Sequence, residues 1–410
     1  MDRCDALIIG GGPAGATAAL LLAQAGWSVI VVEGKQFPRR KVCGEYLSAT
    51  NWPLLVRLGL AEAFGDLAGP PVRRTAVMVG KRSTLAALPR PTDDACRWGR
   101  SLSRQHLDTL LLENARQAGA DIRQPCRCVE LSPIEQGFRV QLESANHTRV
   151  QIEAQVVIAA HGSWEIGPLA TQRQAKPAKA SDWLAFKAHF HSAALPNDLM
   201  PLLSFPEGYG GMVNADEGQA SLSCCLRRSR LERLPRSSQQ TAGDTVLEHI
   251  LDSTPVMRPI LERAVLAGPW LSAGPIQPGL RSCYRDGVYV IGNAAGEAHP
   301  VVAEGISMAM QSAWLLVERL MARREDLRSQ VARQFVGREY TAAWRRSFAP
   351  RIHAAAAIAQ WASRPRLVLA TLPLLRGCPP LLTLGARLSG KARVVVPAAQ
   401  RLAVVGQGGT

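Results

Sequence analysis

The sequence lacks the features of a membrane-spanning or secreted chain. Its 410 residues contain no run of about 18 uninterrupted apolar residues, and the nearest stretch, residues 367–386, includes an arginine and three prolines. We expect no signal peptide, because the apolar run at residues 6–9 meets glycines at once and is typical of a strand. The nine cysteines form no C-x-x-C pair and no His/Cys cluster at zinc spacing. This pattern predicts no metal site and favours reduced thiols in the cytoplasm.

Acidic residues are also scarce, and one end of the chain has none. Lys and Arg number 48 and Asp and Glu 33, so that the formal net charge is +15. No Asp or Glu follows Glu339, whereas residues 341–410 contain ten Lys or Arg. Such a segment is either a basic solvated face or a surface for an acidic partner, namely a carrier protein or the periphery of an anionic membrane. We expect no nucleic acid as partner, because no nucleic-acid-binding motif accompanies the charge.

What is present is a globular composition and a glycine-rich turn near the N-terminus. Hydrophobic residues make up 47% of the chain, which is enough for a core, and the length predicts about two to three domains. The strand at residues 6–9 is followed by the glycine-rich turn of residues 10–15, a helix at residues 16–25, and a second strand at residues 28–32 that ends at Glu33. This order of strand, G-x-G-x-x-G, helix, strand and acid is typical of a dinucleotide site.

Each residue type in this arrangement has a chemical reason. Gly10 permits the tight turn, Gly12 lets the backbone approach a pyrophosphate, and Gly15 lets the helix pack closely on the sheet. The pyrophosphate would lie at the helix N-terminus, where free N–H groups and the helix dipole favour negative charge. Glu33 can accept hydrogen bonds from the hydroxyls of an unphosphorylated ribose, which favours FAD or NAD over NADP.

A second turn of small residues lies late in the chain. A predicted strand at residues 285–291 enters Gly292 and Asn293, and Glu304 precedes a predicted helix at residues 306–324. These motifs resemble those of the FAD-dependent group that includes p-hydroxybenzoate hydroxylase-type monooxygenases, geranylgeranyl reductases and flavin-dependent halogenases. The resemblance implies that the turn binds the ribityl chain of FAD and that the following helix points its N-terminus at the flavin ring.

Two further motifs carry the same resemblance, which covers about residues 1–320. Residues 103–111 resemble the family's Arg-containing helix start, and residues 38–45 resemble the P-R-x-K-x-C-G stretch of the geranylgeranyl reductase branch. Together with the glycine-rich turn, the resemblance implies the following cofactor-binding residues: Gly10, Gly12, Pro13, Ala14, Gly15, Glu33, Arg40, Lys41, Cys43, Arg104, Gly292, Asn293, Pro300, Gly305 and Ile306.

Three departures from the family pattern bear on the chemistry. Asn293 stands where the family has the acid that binds the ribityl chain, which removes one charge-assisted hydrogen bond of about 1 kcal/mol. Where many family hydroxylases have Asp-Gly, this chain has His161 and Gly162. Electron supply by NADH or NADPH, directly or through a separate flavin reductase, therefore stays open. The W-x-W-x-I-P signature of tryptophan halogenases is absent, which disfavours halogenation.

The pattern and the resemblance predict an α/β fold class in three parts. The first is a Rossmann-type FAD-binding domain over residues 1–175 and 270–325, whose parallel sheet carries an inserted three-stranded sheet within residues 127–152. The second is a substrate domain over residues 176–269 with an antiparallel sheet. The third is a helical, basic and apolar C-terminal region over residues 326–410.

The resemblance implies a flavin enzyme that needs few catalytic side chains. The leading hypothesis is a monooxygenase that hydroxylates an apolar aromatic, polyketide-like or carrier-bound substrate through a flavin C4a-hydroperoxide. The alternative is an alkene reductase of the geranylgeranyl reductase type, and a halogenase or a non-catalytic escort protein of prenylated GTPases also stays open.

Three residues are candidates for catalysis. His299 is either a general acid or base that works near neutral pH or a structural histidine. Glu304 is either an acid of the site or a helix N-terminal residue stabilised by the dipole. Glu45 is expected in the wall of the pocket.

Overall fold

An eight-stranded sheet forms the first layer of the protein, in a computed structural model that describes residues 2–89, 98–174, 176–235 and 237–397. With elements numbered in chain order, its strands are β1 Asp2–Ile9, β2 Val29–Val32, β7 Asp121–Arg123, β8 Cys126–Ile134, β9 Gly137–Ser144, β10 Arg149–Ala159, β18 Tyr284–Arg285 and β19 Val288–Val290. The order is β18-β19-β10-β1-β2-β7, and Ala6 pairs in parallel with both Val29 and Val156. The strand β2 and the second halves of β1 and β10 are aliphatic and buried because helices cover both faces of such a parallel sheet.

The insertion in this sheet follows the prediction. β9 pairs antiparallel with the first half of β10, and β8 pairs with β9. The second half of β10 then runs parallel to β1 and β19. The three-stranded insertion is confirmed, and its last strand continues directly into the Rossmann-type sheet.

A second eight-stranded sheet lies over the first layer's carboxyl edge. Its strands are β4 Arg74–Val79, β5 Arg82–Ala87, β11 Trp183–His191, β12 Leu199–Phe205, β13 Gly208–Asn214, β14 Ala220–Arg227, β15 Val265–Leu266 and β16 Leu271–Ile276. The order is β15-β11-β14-β13-β12-β4-β5, with β16 also on β11. All neighbours are antiparallel except β4 and β12, where Val77 lies opposite Leu202. The strands β4, β5 and β16 belong to this sheet although they lie outside residues 176–269. The sheet therefore extends beyond the predicted substrate domain, and the domain boundaries stay a prediction.

Helices cover the first sheet and close the second. They are α1 Pro13–Gln24, α2 Trp52–Leu58, α3 Ala61–Leu67, α4 Arg104–Gln117, α5 Arg228–Arg233, α6 Ala242–Ser253, α7 Arg258–Leu261, α8 Gly305–Met321, α9 Gln330–Ala362, α10 Pro365–Gly377 and α11 Pro380–Ala386. Two small ladders complete the fold and pair β3 Tyr46–Leu47 with β6 Arg100–Ser101, and β17 Gly279–Leu280 with β20 Gly296–Glu297. The predicted helices after the two small-residue turns are confirmed as α1 and α8, and α1 packs on both α4 and α8.

The C-terminal helices lie against the second sheet. Val368 and Leu372 of α10 are buried against Val77 and Val79 of β4. Within the described part of the chain, no single helix is both long and apolar enough to cross a membrane. One bent pair, Pro365–Gly377 with Pro380–Lys391, meets the same length and composition criteria with a bend of 113°. The observed architecture confirms the predicted α/β fold class with its helical C-terminal part.

Candidate active site

One continuous cavity of about 800 Å³ extends from the glycine-rich turn to the C-terminal helices. Its nucleotide end is lined by residues that include Gly12, Pro13, Ala14, Glu33, Lys41 and Arg104. Its apolar end is lined by residues that include Val77, Leu202, Met212, Trp361, Leu375 and Leu382. The cavity therefore joins the carboxyl edge of the first sheet to strands of the second sheet and to the C-terminal helices.

The glycines of the turn divide into packing positions and a ligand position. Gly10 has φ +110°, and a Cβ there would lie 2.6 Å from the carbonyl oxygen of Ala160. A Cβ on Gly15 would lie 1.8 Å from the carbonyl oxygen of Gly10, so that neither position admits a side chain. A Cβ on Gly12 would meet only Arg104 Nη2, at 3.7 Å. The space beside Gly12 is thus open toward the cavity, as a backbone that approaches a pyrophosphate requires.

Glu33 is held in place at the end of β2. Its carboxylate accepts hydrogen bonds from the backbone N–H groups of Gly11 and Lys35, both at 2.9 Å, and it is buried. Arg39 lies 3.4 Å from the same carboxylate and, with Arg127 of β8, lines this part of the cavity. Sequence reasoning did not identify these two arginines. Arg127 comes shortly after β7, which ends at the carboxyl edge of the parallel sheet. A search for basic residues that follow the strands of this sheet could have found it.

A cluster of cations surrounds the open side of Gly12. Arg104 is buried at the start of α4 and makes a bidentate pair with Asp108, at 2.7 and 2.6 Å. Lys41 lies 5.8 Å from the ring centroid of Trp164 and lines the cavity. Burial and the nearby charges of Arg104 and Arg39 lower the pKa of Lys41 to about 8. An anionic group bound here would relieve the repulsion among these cations.

Arg40 does not share the position of its neighbours. Arg39 and Lys41 line the cavity, whereas Arg40 between them does not. Arg40 Nη2 donates to His189 Nδ1 at 3.0 Å and to the carbonyl oxygen of Ala267 at 3.3 Å. In this structure Arg40 therefore contacts the second sheet rather than the predicted cofactor site.

Glu45 connects the two sheets. It is 1% exposed, and its carboxylate accepts from the Arg104 backbone N–H at 3.0 Å and from His189 Nε2 at 2.7 Å, and it pairs with Lys187. Since Arg40 donates to Nδ1 of His189, that imidazole donates to Glu45 from Nε2. Burial would raise the pKa of Glu45, but the hydrogen bond from His189 and the charge of Lys187 outweigh it and lower the pKa to about 2. Glu45 lines the cavity as predicted, yet both of its oxygens are engaged, which fits a positioning role.

The second small-residue turn meets the cavity in its middle. Asn293, Pro300, Gly305 and Ile306 line it, as does Cys43 from the 38–45 motif. No described residue hydrogen-bonds to the side-chain amide of Asn293, so that this amide is available to a polyol chain. Gly292, by contrast, serves packing. Its φ is +62°, and a Cβ there would lie 2.8 Å from the Cβ of Ala14.

His299 lies behind the cavity wall and not in it. Its Nδ1 is 2.5 Å from Tyr209 Oη, and its ring meets the edge of Trp183 at 5.3 Å between centroids. Burial and the nearby charge of Arg227 lower the pKa of His299 to about 4, so that the imidazole is neutral at pH 7 and Nδ1 can accept from Tyr209. Tyr209 itself lines the cavity and was not identified from the sequence beyond its place in a strand. Tyr209, rather than His299, therefore forms part of the cavity wall.

Glu304 is fully buried at the N-cap of α8 and is not among the lining residues. Its Oε1 lies 3.0 Å from Lys391 Nζ, which also donates to the carbonyl oxygen of Val302 at 2.8 Å. Lys391 lines the cavity and lies 4.6 Å from the ring centroid of Tyr46. The ion pair therefore fixes the last described turn of the chain to the start of α8, so that this geometry favours the helix N-terminal alternative for Glu304.

Glu297 is an acidic lining residue that sequence reasoning missed. It is 4% exposed, and its Oε2 has no hydrogen-bond partner among the described residues, with Arg281 at 3.6 Å. Burial is the main influence on it and raises the pKa of this carboxyl. Only its position four residues after Asn293, in the turn that leads to Pro300, could have pointed to it.

The donors and spaces of the cavity fit FAD. The open Gly12 position at the N-terminus of α1, the Lys41 and Arg104 cations, and the Glu33 carboxylate match a pyrophosphate followed by an adenosine ribose. The free amide of Asn293 and the start of α8 match a ribityl chain and a flavin ring.

Comparisons with known proteins agree with this fit. The family described as FAD binding domain matches residues 3–330. A digeranylgeranylglycerophospholipid reductase of Methanothrix thermoacetophila is 25% identical over 379 residues, which span 82% of this chain and 87% of that protein.

Two solved structures share the fold. The myxobacterial chondrochloren halogenase CndH superposes with a TM-score of 0.74 at 20% identity, and the alignment covers 95% of this chain and 91% of the halogenase. PqsL of Pseudomonas aeruginosa, described as a probable FAD-dependent monooxygenase, superposes with a TM-score of 0.71 at 17% identity, over 91% of this chain and 100% of PqsL. The resemblance expected from the motifs is thereby confirmed, and the chain belongs to the FAD-binding-domain family as an FAD-dependent oxidoreductase.

Proposed function

We propose that the protein reduces a carbon–carbon double bond in a long apolar chain. The observation that carries this proposal is the continuity of the cavity, which passes from the cofactor cradle into walls of aliphatic side chains such as Val77, Leu202 and Met212. A chain without functional groups needs such a wall and little else. The similarity to a digeranylgeranylglycerophospholipid reductase over most of its length supports a prenyl chain as the substrate class.

The reaction needs two components that come from different sources. One carbon of the double bond gains a hydride and the other gains a proton. FAD, when bound and reduced by a two-electron donor such as NADH or NADPH, supplies the hydride. The protein has to align the apolar substrate, exclude water and donate the proton to the second carbon.

Tyr209 is the group we assign to the proton. Its hydroxyl is buried in the cavity wall, 2.5 Å from His299 Nδ1. Burial raises the pKa of Tyr209 well above its usual value, so that the hydroxyl keeps its proton until a strongly basic carbon develops next to it. The neutral His299 orients this hydroxyl and is a positioning residue, as is Glu45 on the opposite side.

The source of electrons is part of the proposal. His161 stands where an acid was expected, and its ring nitrogens lie 2.9 Å from the Gly162 carbonyl oxygen and 3.1 Å from Thr171 Oγ1. Burial lowers the pKa of His161, so that the ring is neutral at pH 7, and unlike a carboxylate it carries no negative charge that would repel the phosphates of a nicotinamide dinucleotide. We expect direct reduction by NADH or NADPH, to be measured as anaerobic bleaching of the flavin absorbance. Bleaching by dithionite alone would assign the electron supply to a separate flavin reductase.

A single experiment separates the reductase from its rival. Holoprotein reduced anaerobically with dithionite is mixed with geranylgeraniol, and the product is analysed by mass spectrometry. The proposal expects a gain of two hydrogen atoms without oxygen, and loss of this product in Tyr209→Phe with normal FAD content. If fully reduced holoprotein reduces neither geranylgeraniol nor shorter prenyl alcohols, the proposal is overturned.

Hydroxylation of an amphipathic aromatic compound is the second candidate. It is favoured by the polar groups beside the apolar wall, since the Tyr209 hydroxyl and the Glu297 carboxyl could hold a phenolic head while an alkyl tail fills the apolar end. The same holoprotein, reduced and then mixed with oxygen and an alkylphenol, would then give a product with one added oxygen atom.

A further inference from the structure

The outer faces of α10, of α11 and of the helical turn that follows α11, residues 387–391, carry a row of exposed leucines. These are Leu367, Leu374, Leu381, Leu384 and Leu388, with exposed fractions of 43%, 62%, 37%, 49% and 61%. Their spacing by three, four or seven residues places them on one side of each helix. The opposite side of α10, with Val368 and Leu372, packs on the second sheet, and Leu382 of α11 packs against the same cluster. Both helices thus have apolar side chains on the side that faces the protein and on the side that faces outward. An exposed apolar row of this size is typical of a surface that binds a partner rather than one that contacts only water.

Cations accompany this leucine face without their own counter-charges. Arg364, Arg366, Arg376 and Arg387 are exposed on or next to the two helices. In the described ranges none of the four forms a salt bridge, and Arg376 instead donates to the Ser83 carbonyl oxygen at 2.9 Å. Since the sequence has no Asp or Glu after Glu339, the face is positively charged as well as apolar.

The cavity opens at the same face. Leu374 and Leu381 are exposed and also line the cavity, and Leu375, Leu382 and Gly385 line it just inside. The opening therefore lies between α10 and α11, where the chain bends by 113°. A substrate that entered here would pass from the leucine face directly toward the flavin site.

We propose that the leucine face of α10 and α11 docks on an anionic lipid bilayer, and that the cavity receives its substrate from the bilayer through this opening. Exposed leucines interspersed with arginines are the combination that inserts at a lipid headgroup boundary. A second copy of the chain would place one arginine-rich face against another, which like-charge repulsion opposes. The entry route rests on the proposed function, whereas the docking does not.

The test is co-sedimentation of the full-length holoprotein with lipid vesicles. Binding to mixed phosphatidylcholine and phosphatidylglycerol vesicles is expected, with much weaker binding to phosphatidylcholine alone and a decrease as NaCl is raised. The triple variant L367E/L384E/L388E should weaken binding by about tenfold or more, because it removes apolar area and adds repulsion. None of these three leucines lines the cavity.

A matched control has the same three added charges elsewhere. Val56, Leu67 and Val331 are exposed by 56%, 47% and 71% and lie on other helices, so that V56E/L67E/V331E should bind vesicles like the wild type. Equal binding by L367E/L384E/L388E and the wild type, or no binding to either vesicle type, would overturn the docking. The molecular mass in solution, measured by light scattering, is a second check. A mass that doubles with concentration in the wild type but not in L367E/L384E/L388E would also overturn the docking, because it would show that the leucine face binds a second copy of the protein.

The two proposals fail in distinguishable ways. Vesicle binding requires no turnover, so that its presence without prenyl reduction would overturn the proposed function alone. Reduction of a detergent-dispersed prenyl chain by a protein that ignores vesicles would overturn the docking alone.

Discussion

The nucleotide end and the apolar end of the cavity are built by opposite means. The turn and the carboxylate of the nucleotide end come from one short stretch, Gly10 to Glu33, whose backbone geometry sets their positions, and its cations come from other parts of the chain. The apolar end combines β4, β12 and β13 with helices near the C-terminus, and only side-chain bulk and apolarity matter there. A cofactor of fixed shape requires fixed atoms, whereas an apolar chain requires volume that many sequences can supply.

The two ends differ also in charge. Lys41, Arg104, Arg39 and Arg127 face the nucleotide end, whereas the lining near Val77 is aliphatic. Substitutions at the nucleotide end should therefore act on FAD, and substitutions at the apolar end should act on substrate alone. The predictions below test this division.

The largest effect is expected at Gly12. In Gly12→Val the side chain would occupy the space into which the pyrophosphate fits, so that purified protein should be colourless and should not take up FAD. The nearest atom to a new Cβ is Arg104 Nη2 at 3.7 Å, so that the apoprotein should keep its circular dichroism and melting temperature. Leu382→Val at the apolar end is the control and should stay yellow. A yellow, stoichiometric Gly12→Val would place FAD elsewhere.

The next largest effect is expected at Glu45, which contacts both α4 and β11. Glu45→Gln removes the charge that pairs with buried Lys187, and it should lower the free energy of unfolding by about 3 kcal/mol, measured by urea denaturation. Glu143→Gln, in a surface pair with Arg149, should change it little.

The pH dependence of this effect has a definite sign. The pKa of Glu45 is about 2 in the folded protein and 4.5 ordinarily, so that its contribution is complete above pH 4.5 and is lost as the pH falls toward 2. The difference between wild type and Glu45→Gln should shrink over that window. A constant difference would mean that the carboxylate charge is not what stabilises the protein.

The local sequence pattern was sufficient to predict the nucleotide end of the cavity but not the apolar end. The turn at Gly10–Gly15, Glu33 and the insertion that ends in β10 follow from spacing and periodicity within a few dozen residues. β4 joins the second sheet through pairs such as Val77 with Leu202, which are separated by more than a hundred residues, and no local signal reports such pairing.

The site residues show the same division. Arg40 was assigned to the cofactor from its place in the 38–45 motif, whereas in the fold it contacts His189 of the distant strand β11. Tyr209 lines the cavity because distant strands bring it there, so that its neighbours in the sequence could not have singled it out, whereas the place of Glu297 four residues after Asn293 was a local signal.

Lys41 makes FAD affinity depend on pH. Its pKa of about 8 in the apoprotein should rise when a pyrophosphate binds beside it, so that binding takes up a proton. The dissociation constant should then increase by up to about tenfold per pH unit above pH 8, as measured by fluorescence titration between pH 7 and 9. Lys41→Met should bind more weakly with a flat profile. A wild-type affinity that is constant over this range would remove Lys41 from the cofactor site.

The smallest effect is expected at the opening of the cavity. Leu374→Trp adds bulk where α10 meets the entrance, and because the side chain is 62% exposed the fold should tolerate it. KM for a long prenyl substrate should rise several-fold, by about 1 kcal/mol, while FAD content and turnover of a truncated substrate stay unchanged. Leu388→Trp is the matched control, since Leu388 is 61% exposed on the same face but does not line the cavity. An equal rise in KM for both variants would assign the effect to contact with the lipid surface, whereas no rise in either would mean that the substrate does not enter between α10 and α11.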